Sequence, residues 1–287
     1  MPLNSRVVGA STREFVHNVD ARWLMAYAAG IGDNNPRYMD TTQGSVLAHP
    51  MFPVCLEWPV ILSSRQLPGY ESLSPQDSAR IVHAAHDLHL YRPIEAGESY
   101  RTRAQVISLS AIRPGAAVVT RLDTHNSPGE LVCQTWHLGI IRGVAIEGEP
   151  GATETPPAMP DFDSAEPQER AFQIPVVEGL SNIYTEASRI ESPIHTDKAY
   201  AKAAGLPDVI LHGTATLALG VTALVNAFAE GDPARVERIG GRFSGLVLMP
   251  NELTLEVTAR SGSTYGFRML ERGGAEVFSA GYITFRT

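Results

Sequence analysis

Eight strand-like runs, each closed by turn residues, dominate the alternation of apolar and polar positions. Four lie at 81–92, 100–109, 115–124 and 131–141, and four at 236–247, 253–259, 264–271 and 275–285. Glu95-Ala96-Gly97, Asn126-Ser127-Pro128-Gly129 and Arg272-Gly273-Gly274 separate neighbouring runs and predict antiparallel hairpins. Helical spacing precedes each set. Asp20 heads a stretch whose Trp23, Leu24 and Tyr27 share one face, and Ser181 or Asn182 heads another through Ile183 and Tyr184. Val209 to Ala229 carries no Asp, Glu, Lys or Arg. That length matches a bilayer span. Its His212, Asn226 and three threonines point instead to a buried helix in a soluble core. Each half of the chain thus reads as a long helix followed by an antiparallel sheet, and a sheet wrapped on a helix buries one face of both. The class is α+β, present twice.

The sequence between the halves supports that division. Residues 147–169 hold five prolines, seven acidic residues and no Lys or Arg, so they read as an extended linker between domains at 1–146 and 170–287. The two halves also repeat faintly. Setting Pro36 on Pro193 gives an offset of 157, which places Tyr27 on Tyr184, Tyr38 on His195 and Asp40 on Asp197. Further on, Ala48-His49-Pro50 parallels Leu211-His212-Gly213, and each His opens an apolar helical stretch.

Composition narrows the chemistry. With 287 residues and a net charge of −8, the chain has room for a sizeable core and lacks the basic surplus that nucleic acid demands. Two cysteines, Cys55 and Cys133, form no framework or CxxC pair and read as buried thiols in a reducing cytoplasm. Met1-Pro2-Leu3-Asn4-Ser5-Arg6 leads into no apolar run, so no signal peptide is expected. His83, His86 and His89 resemble a metal cluster, but a strand places 86 on the face opposite 83 and 89, and no HExxH or paired Cys accompanies them. No metal is expected. No GxGxxG or P-loop occurs, so no nucleotide cofactor is expected either.

Ser192-Pro193-Ile194-His195-Thr196-Asp197, then Ala203-Ala204-Gly205-Leu206-Pro207, then Ile210-Leu211-His212-Gly213 resembles the signature of the MaoC-like, (R)-specific enoyl-CoA hydratases and dehydratases. The resemblance implies a double hot-dog fold and addition or removal of water across the α,β double bond of an acyl-CoA or carrier-bound thioester, without a cofactor. It casts His195 as base and acid and the Gly213 N–H as donor to the thioester oxygen. A helix N-terminus supplies such donors, and an imidazole titrates near neutrality. It places Ser192 and His212 in the substrate site, and Asp33, Asn35 and Tyr38 at the matching loop of the first half. Two fused copies already form a pseudo-dimer, so monomer, homodimer and hetero-oligomer all remain open, and no membrane span is implied.

One departure from the pattern matters most. The family's Asp, five residues before the His, is Ile190, and its Asn, three before, is Ser192. The first half has the reverse: Asp33 and Asn35 stand in place, and Tyr38 holds the His position. Three explanations stay open. Glu191, one place along, supplies the acid; or the scaffold runs isomerisation, cyclisation or thioester hydrolysis with His195 as sole base; or the chain is a silent subunit. Pairing Asp33 with His195 across the repeat is a fourth, weaker route. The bland alternatives are that Asp33-Asn34-Asn35-Pro36 is turn chemistry, Tyr38 is packing, and His212 holds the turn before its helix.

Overall fold

The computed structural model describes residues 2–78 and 80–287, so Met1 of the stretch read for a leader lies outside the described residues. Its contacts divide the chain into two compact units that interleave along the sequence. The first comprises 1–17, 56–89 and 99–159, and the second 18–55, 90–98 and 160–287.

In the first unit the strands Glu98–Ile112, Gly115–Asn126 and Leu131–Arg142 form an antiparallel meander. Ile81–Leu90 follows Leu131–Arg142 in the sheet order, and Phe15–Val19 edges Glu98–Ile112. Burial alternates residue by residue from Cys133 to Ile141, the signature of a sheet with one covered face. Val60 of the helix Pro53–Ser64 packs on Ala104 and Leu122 of that face. Two acids, Glu57 and Asp77, are buried in this unit among the described residues. Glu57 accepts a hydrogen bond from Thr135, and burial pushes its carboxyl up to about 7. Residues 147–169, expected as a linker, contain strand residues that join sheets. Gly151–Ala152 pairs with Ser108 and Leu109, and the strand Glu166–Val176 starts inside the segment. Strand pairing satisfies backbone groups whatever the side chains.

In the second unit the order is Val236–Phe243, Glu276–Phe285, Thr264–Leu270, Asn251–Ser261 and Glu166–Val176, every pair antiparallel. The charge-free stretch becomes the helix Gly213–Phe228, and Gly220 lets it approach the sheet. A Cβ there would meet Met269 Sδ at 2.9 Å. Among the described residues no helix is long and apolar enough to cross a membrane. Asp20 caps the helix Ala21–Gly30 by accepting the Trp23 N–H at 2.8 Å, as predicted. The helix Leu180–Ser188 starts differently. Neither Ser181 nor Asn182 caps it; Gly179, at φ 79°, turns the chain into it. These two helices pack closely, since a Cβ on Gly30 would lie 2.7 Å from that of Ala187. Tyr27 and Tyr184, aligned by the offset of 157, meet there with hydroxyls 3.4 Å apart.

Candidate active site in the second half

His195 ends the short 3-10 turn Pro193–His195, which the fixed φ of Pro193 starts and the His195 N–H to Ser192 O bond closes. The half-buried imidazole has Nδ1 2.8 Å from the carbonyl oxygen of Ile210. A carbonyl only accepts, so Nδ1 carries the proton and Nε2 holds the lone pair. Burial pulls the pKa of His195 below 6.5, partly offset by that hydrogen bond. The ring is therefore a neutral base near neutrality.

Its flat face lies on His212, with centroids 3.7 Å apart and planes 22° apart. His212 is 2% exposed and caps the helix Gly213–Phe228 from extended backbone. Its Nε2 lies 3.3 Å from Thr185 Oγ1 and 3.2 Å from Ile190 O, so that nitrogen is the protonated one. Burial first, and the neighbouring His195 second, push its pKa down to about 2. Two stacked imidazoles, both neutral, thus stand at the N-terminus of a sixteen-residue helix whose first N–H groups have no intrahelical acceptor. Gly213 is required by space. A Cβ there would meet the Phe243 ring at 2.8 Å. Behind it, Tyr184 donates to Thr214 Oγ1 at 3.1 Å and ties the first turn down.

The residues around the missing acid fall as follows. Ile190 is buried, and its carbonyl oxygen lies 3.2 Å from His212 Nε2. Glu191 is exposed, and no hydrogen bond among the described residues joins it to His195. Ser192 is half-buried and caps nothing with its side chain.

The matching loop of the first half is organised differently. Asp33 is buried, accepts the Asn35 N–H at 3.1 Å and accepts Thr222 Oγ1–H at 2.8 Å. Thr222 in turn lies 3.2 Å from His49 Nε2, and His49 Nδ1 accepts the Met51 N–H. This makes a relay from His49 through Thr222 to Asp33. Burial pushes His49 down to about 3, so the relay is neutral at its imidazole end. Asn35 donates to Gly231 O at 2.6 Å, and Asp33, Asn35, Arg37, Thr222 and Asn226 line an open cleft of about 770 Å³. Tyr38 is fully buried, 5.6 Å from the His49 ring, and its hydroxyl has no hydrogen-bond partner among the described residues. Pro50 stands where Gly213 stands in the second half. It has no N–H, so this position cannot donate as the Gly213 N–H can. Asp33 and His195 are engaged with separate partners and share none.

Thr185, Thr222 and the Ile210 carbonyl were not singled out from sequence. A backbone carbonyl has no residue-type signal, and a threonine in an apolar helix reads as packing. Among the described residues no group of three His, Cys, Asp or Glu is placed to hold a metal ion. His83 lies against His137 at 4.1 Å and approaches His86 at 5.4 Å, although alternation puts 83 and 86 on opposite faces.

Comparison with known proteins accounts for both halves. Residues 162–275 match the MaoC like domain, and residues 17–143 match the MFE-2 hydratase 2 N-terminal domain. The peroxisomal enoyl-CoA hydratase 2 of Arabidopsis thaliana is 24% identical over 290 residues, covering 94% of this chain and 91% of that protein. The peroxisomal multifunctional enzyme type 2 of Drosophila melanogaster is 24% identical over 298 residues. That match covers 97% of this chain and spans only 48% of the fly protein. Among solved structures, a MaoC-like dehydratase from Phytophthora capsici superposes with a TM-score of 0.84 at 22% identity, covering 97% of this chain and 96% of that one. The chain thus carries a MaoC like domain in its second half and an MFE-2 hydratase 2 N-terminal domain in its first, and it has the double hot-dog fold of the MaoC-like structures it superposes on.

Proposed function

We propose that the chain is a lyase that adds water to, or removes it from, the α,β double bond of an acyl-CoA or carrier-bound acyl-thioester at one site, in the second of two repeats (1–146 and 170–287, joined by 147–169). The observation that carries this reading is the stack of His195 on the residue that caps the Gly213 helix, 3.7 Å between centroids. It sets a base with a defined lone pair beside the donors that an enolate oxygen needs. In hydration, His195 Nε2 takes a proton from water as the hydroxyl bonds to Cβ. The electron pair of the double bond moves through Cα to the thioester oxygen, held by the Gly213 N–H. The imidazolium then returns its proton to Cα, so H and OH have been added and His195 is regenerated. Dehydration reverses each step. One imidazole serving both transfers delivers both fragments to the same face. Ser192 and His212 line that site.

Support for the substrate comes from relatives whose names specify enoyl-CoA hydratase. Ile190 in place of an acid leaves water with one polar partner, and it favours a second reading in which His195 alone drives isomerisation, cyclisation or thioester hydrolysis. Glu191 stays the acid of the first reading only if its exposed carboxylate swings to the imidazole. Asp33, Asn35 and Tyr38 then serve binding rather than chemistry. The experiment is direct. Crotonyl-CoA should lose its conjugated thioester absorbance with wild type and keep it with His195→Ala. Equal slow rates in both would sink the His195 mechanism, and release of coenzyme A thiol without hydration would establish the second reading.

A further inference from the structure

The geometry points to Trp23 and Arg189 as positioning residues for the histidine pair, acting through the carbonyl oxygen of Ile190. All the residues involved belong to the second unit. Arg189 follows the helix Leu180–Ser188 at φ 59° and ψ 29°, left-handed backbone that a glycine adopts freely and a residue with a Cβ does not. Trp23 secures the chain there twice. Its Nε1–H donates to Ala187 O at 3.1 Å, and its ring carries the Arg189 guanidinium 3.7 Å from the centre. Ala187 O is among the last carbonyls of its helix, which lack an intrahelical donor, so the indole supplies a bond the helix cannot. The platform is itself fixed, because Trp23 is buried and meets the Phe52 ring edge-on at 5.0 Å. Beyond Arg189, the Ile190 N–H donates to Ser188 Oγ at 3.2 Å, and Ser188 Oγ–H donates to Tyr184 O at 2.6 Å.

This turn decides where the Ile190 carbonyl points, and the carbonyl decides how His212 sits. His212 Nδ1 is buried and has no hydrogen-bond partner among the described residues. The polar contacts that orient the ring therefore lie on its Nε2 edge, at Ile190 O and Thr185 Oγ1. A carbonyl oxygen only accepts, so Ile190 also fixes the proton on Nε2. His195 stacks on that ring with the planes 22° apart. A tilt of His212 is thus a tilt of the surface against which His195 rests. Ile190, standing where an acid is missing, contributes its backbone instead. A glycine at 189 would take the left-handed turn without strain and leave the loop unclamped. Arginine accepts the strain and is held on the indole, and strain kept beside a site is the mark of a positioning role.

The two imidazoles report this positioning without any substrate. Nitrogen NMR of the full chain should show His212 protonated at Nε2 and His195 at Nδ1, and a pH titration gives the His195 midpoint directly. Arg189→Gly separates the two roles of that residue. If it served the turn alone, glycine would be at least as good by every measure. The variant should instead hold or raise the urea midpoint, because the strain is gone, while the His195 midpoint moves up toward 6.5 and the His212 Nε2–H signal broadens. Trp23→Phe removes the indole donor and weakens the face under the cation, and it should move both ring signals the same way. Arg189→Lys keeps a cation over the indole and should keep the wild-type midpoint. The kinetic consequence rests on the hydration reading. With crotonyl-CoA, Arg189→Gly should lose ~10-fold to ~10²-fold in kcat with KM near wild type, the cost of a displaced base. Ring signals that move in the variants of a chain that turns over no enoyl-CoA would sink hydration and leave the positioning intact. Signals of His195 and His212 that stay at wild type in either Arg189→Gly or Trp23→Phe overturn the proposal, whatever the rates.

Discussion

His195 is held by one carbonyl and one ring, and both contacts bear on its chemistry. The Ile210 carbonyl fixes the tautomer, and the His212 face keeps a second positive charge away, because His212 is neutral down to about pH 2. Burial lowers the pKa of His195, so its base form predominates at 6.5 and above and is lost as the pH falls through the lowered value. The hydration rate should therefore fall on an acid limb whose midpoint lies below 6.5, measured as the pH profile of kcat/KM with crotonyl-CoA. A midpoint above 6.5 would contradict the burial that the structure gives this ring. Replacing the base itself, His195→Ala, should cost ~10²–10⁴-fold in kcat, with the circular dichroism spectrum unchanged. Gly213→Ala tests the other half of the site. Its methyl would press on Phe243 and displace the first turn, and a lost oxyanion donor costs ~10²–10³-fold in kcat. Of these contacts, His195 and Gly213 are legible from motif spacing. The Ile210 carbonyl and Thr185 are not, because both partners are set by how the chain folds back and neither has a residue type that announces it.

At the scale of elements, local chemistry and tertiary packing divide the credit. Asp20 caps its helix as a sequence reader expects, since an acceptor side chain three residues before an N–H needs no distant help. Ser181 does not cap, because Gly179 takes the positive φ that begins the turn and the serine is buried instead. The strands were legible because alternation is strong, and their ends less so. The run at 236–247 stops at Phe243, beyond which Gly245 approaches the backbone of Glu276, where a Cβ would lie 2.8 Å from its carbonyl oxygen. The contact of the helices Ala21–Gly30 and Leu180–Ser188 offers a clean test of packing. Gly30→Ala inserts a methyl 2.7 Å from Ala187 Cβ, and overpacking of that kind costs ~1–3 kcal/mol. Urea unfolding should show the loss as a lower midpoint at constant m. An unchanged midpoint would mean that the two helices separate without cost.

For the molecule as a whole, buried titratable groups set the response to acid. His49, His86, His137 and His212 have folded pKa values of about 3, 4, 3 and 2 against 6.5 in the unfolded chain. The unfolded state binds more protons in that interval, so these four make stability rise with pH up to 6.5 and fall as the pH drops. Glu57 works the other way. Its pKa rises from 4.5 to about 7 on folding, so the folded state holds the extra proton and stability declines as pH climbs through that window. Four against one, the net expectation is a protein that gains stability between pH 4.5 and 6.5, and Glu57→Gln should make that gain steeper. Urea midpoints across the range check both signs, and a flatter curve in the variant would contradict the assignment of Glu57.

The meeting of Tyr27 with Tyr184 has a consequence for how the two repeats diverge. In an assembly of two identical single-repeat chains, equivalent residues facing each other would be encoded once, and any substitution would alter both sides together. Here the facing positions have separate codons. Tyr38 and Pro50 can settle in one copy while His195 and Gly213 persist in the other. Covalent fusion has released the two copies from obligatory symmetry, and a tyrosine opposite a histidine or a proline opposite a glycine is a difference that only such freedom allows.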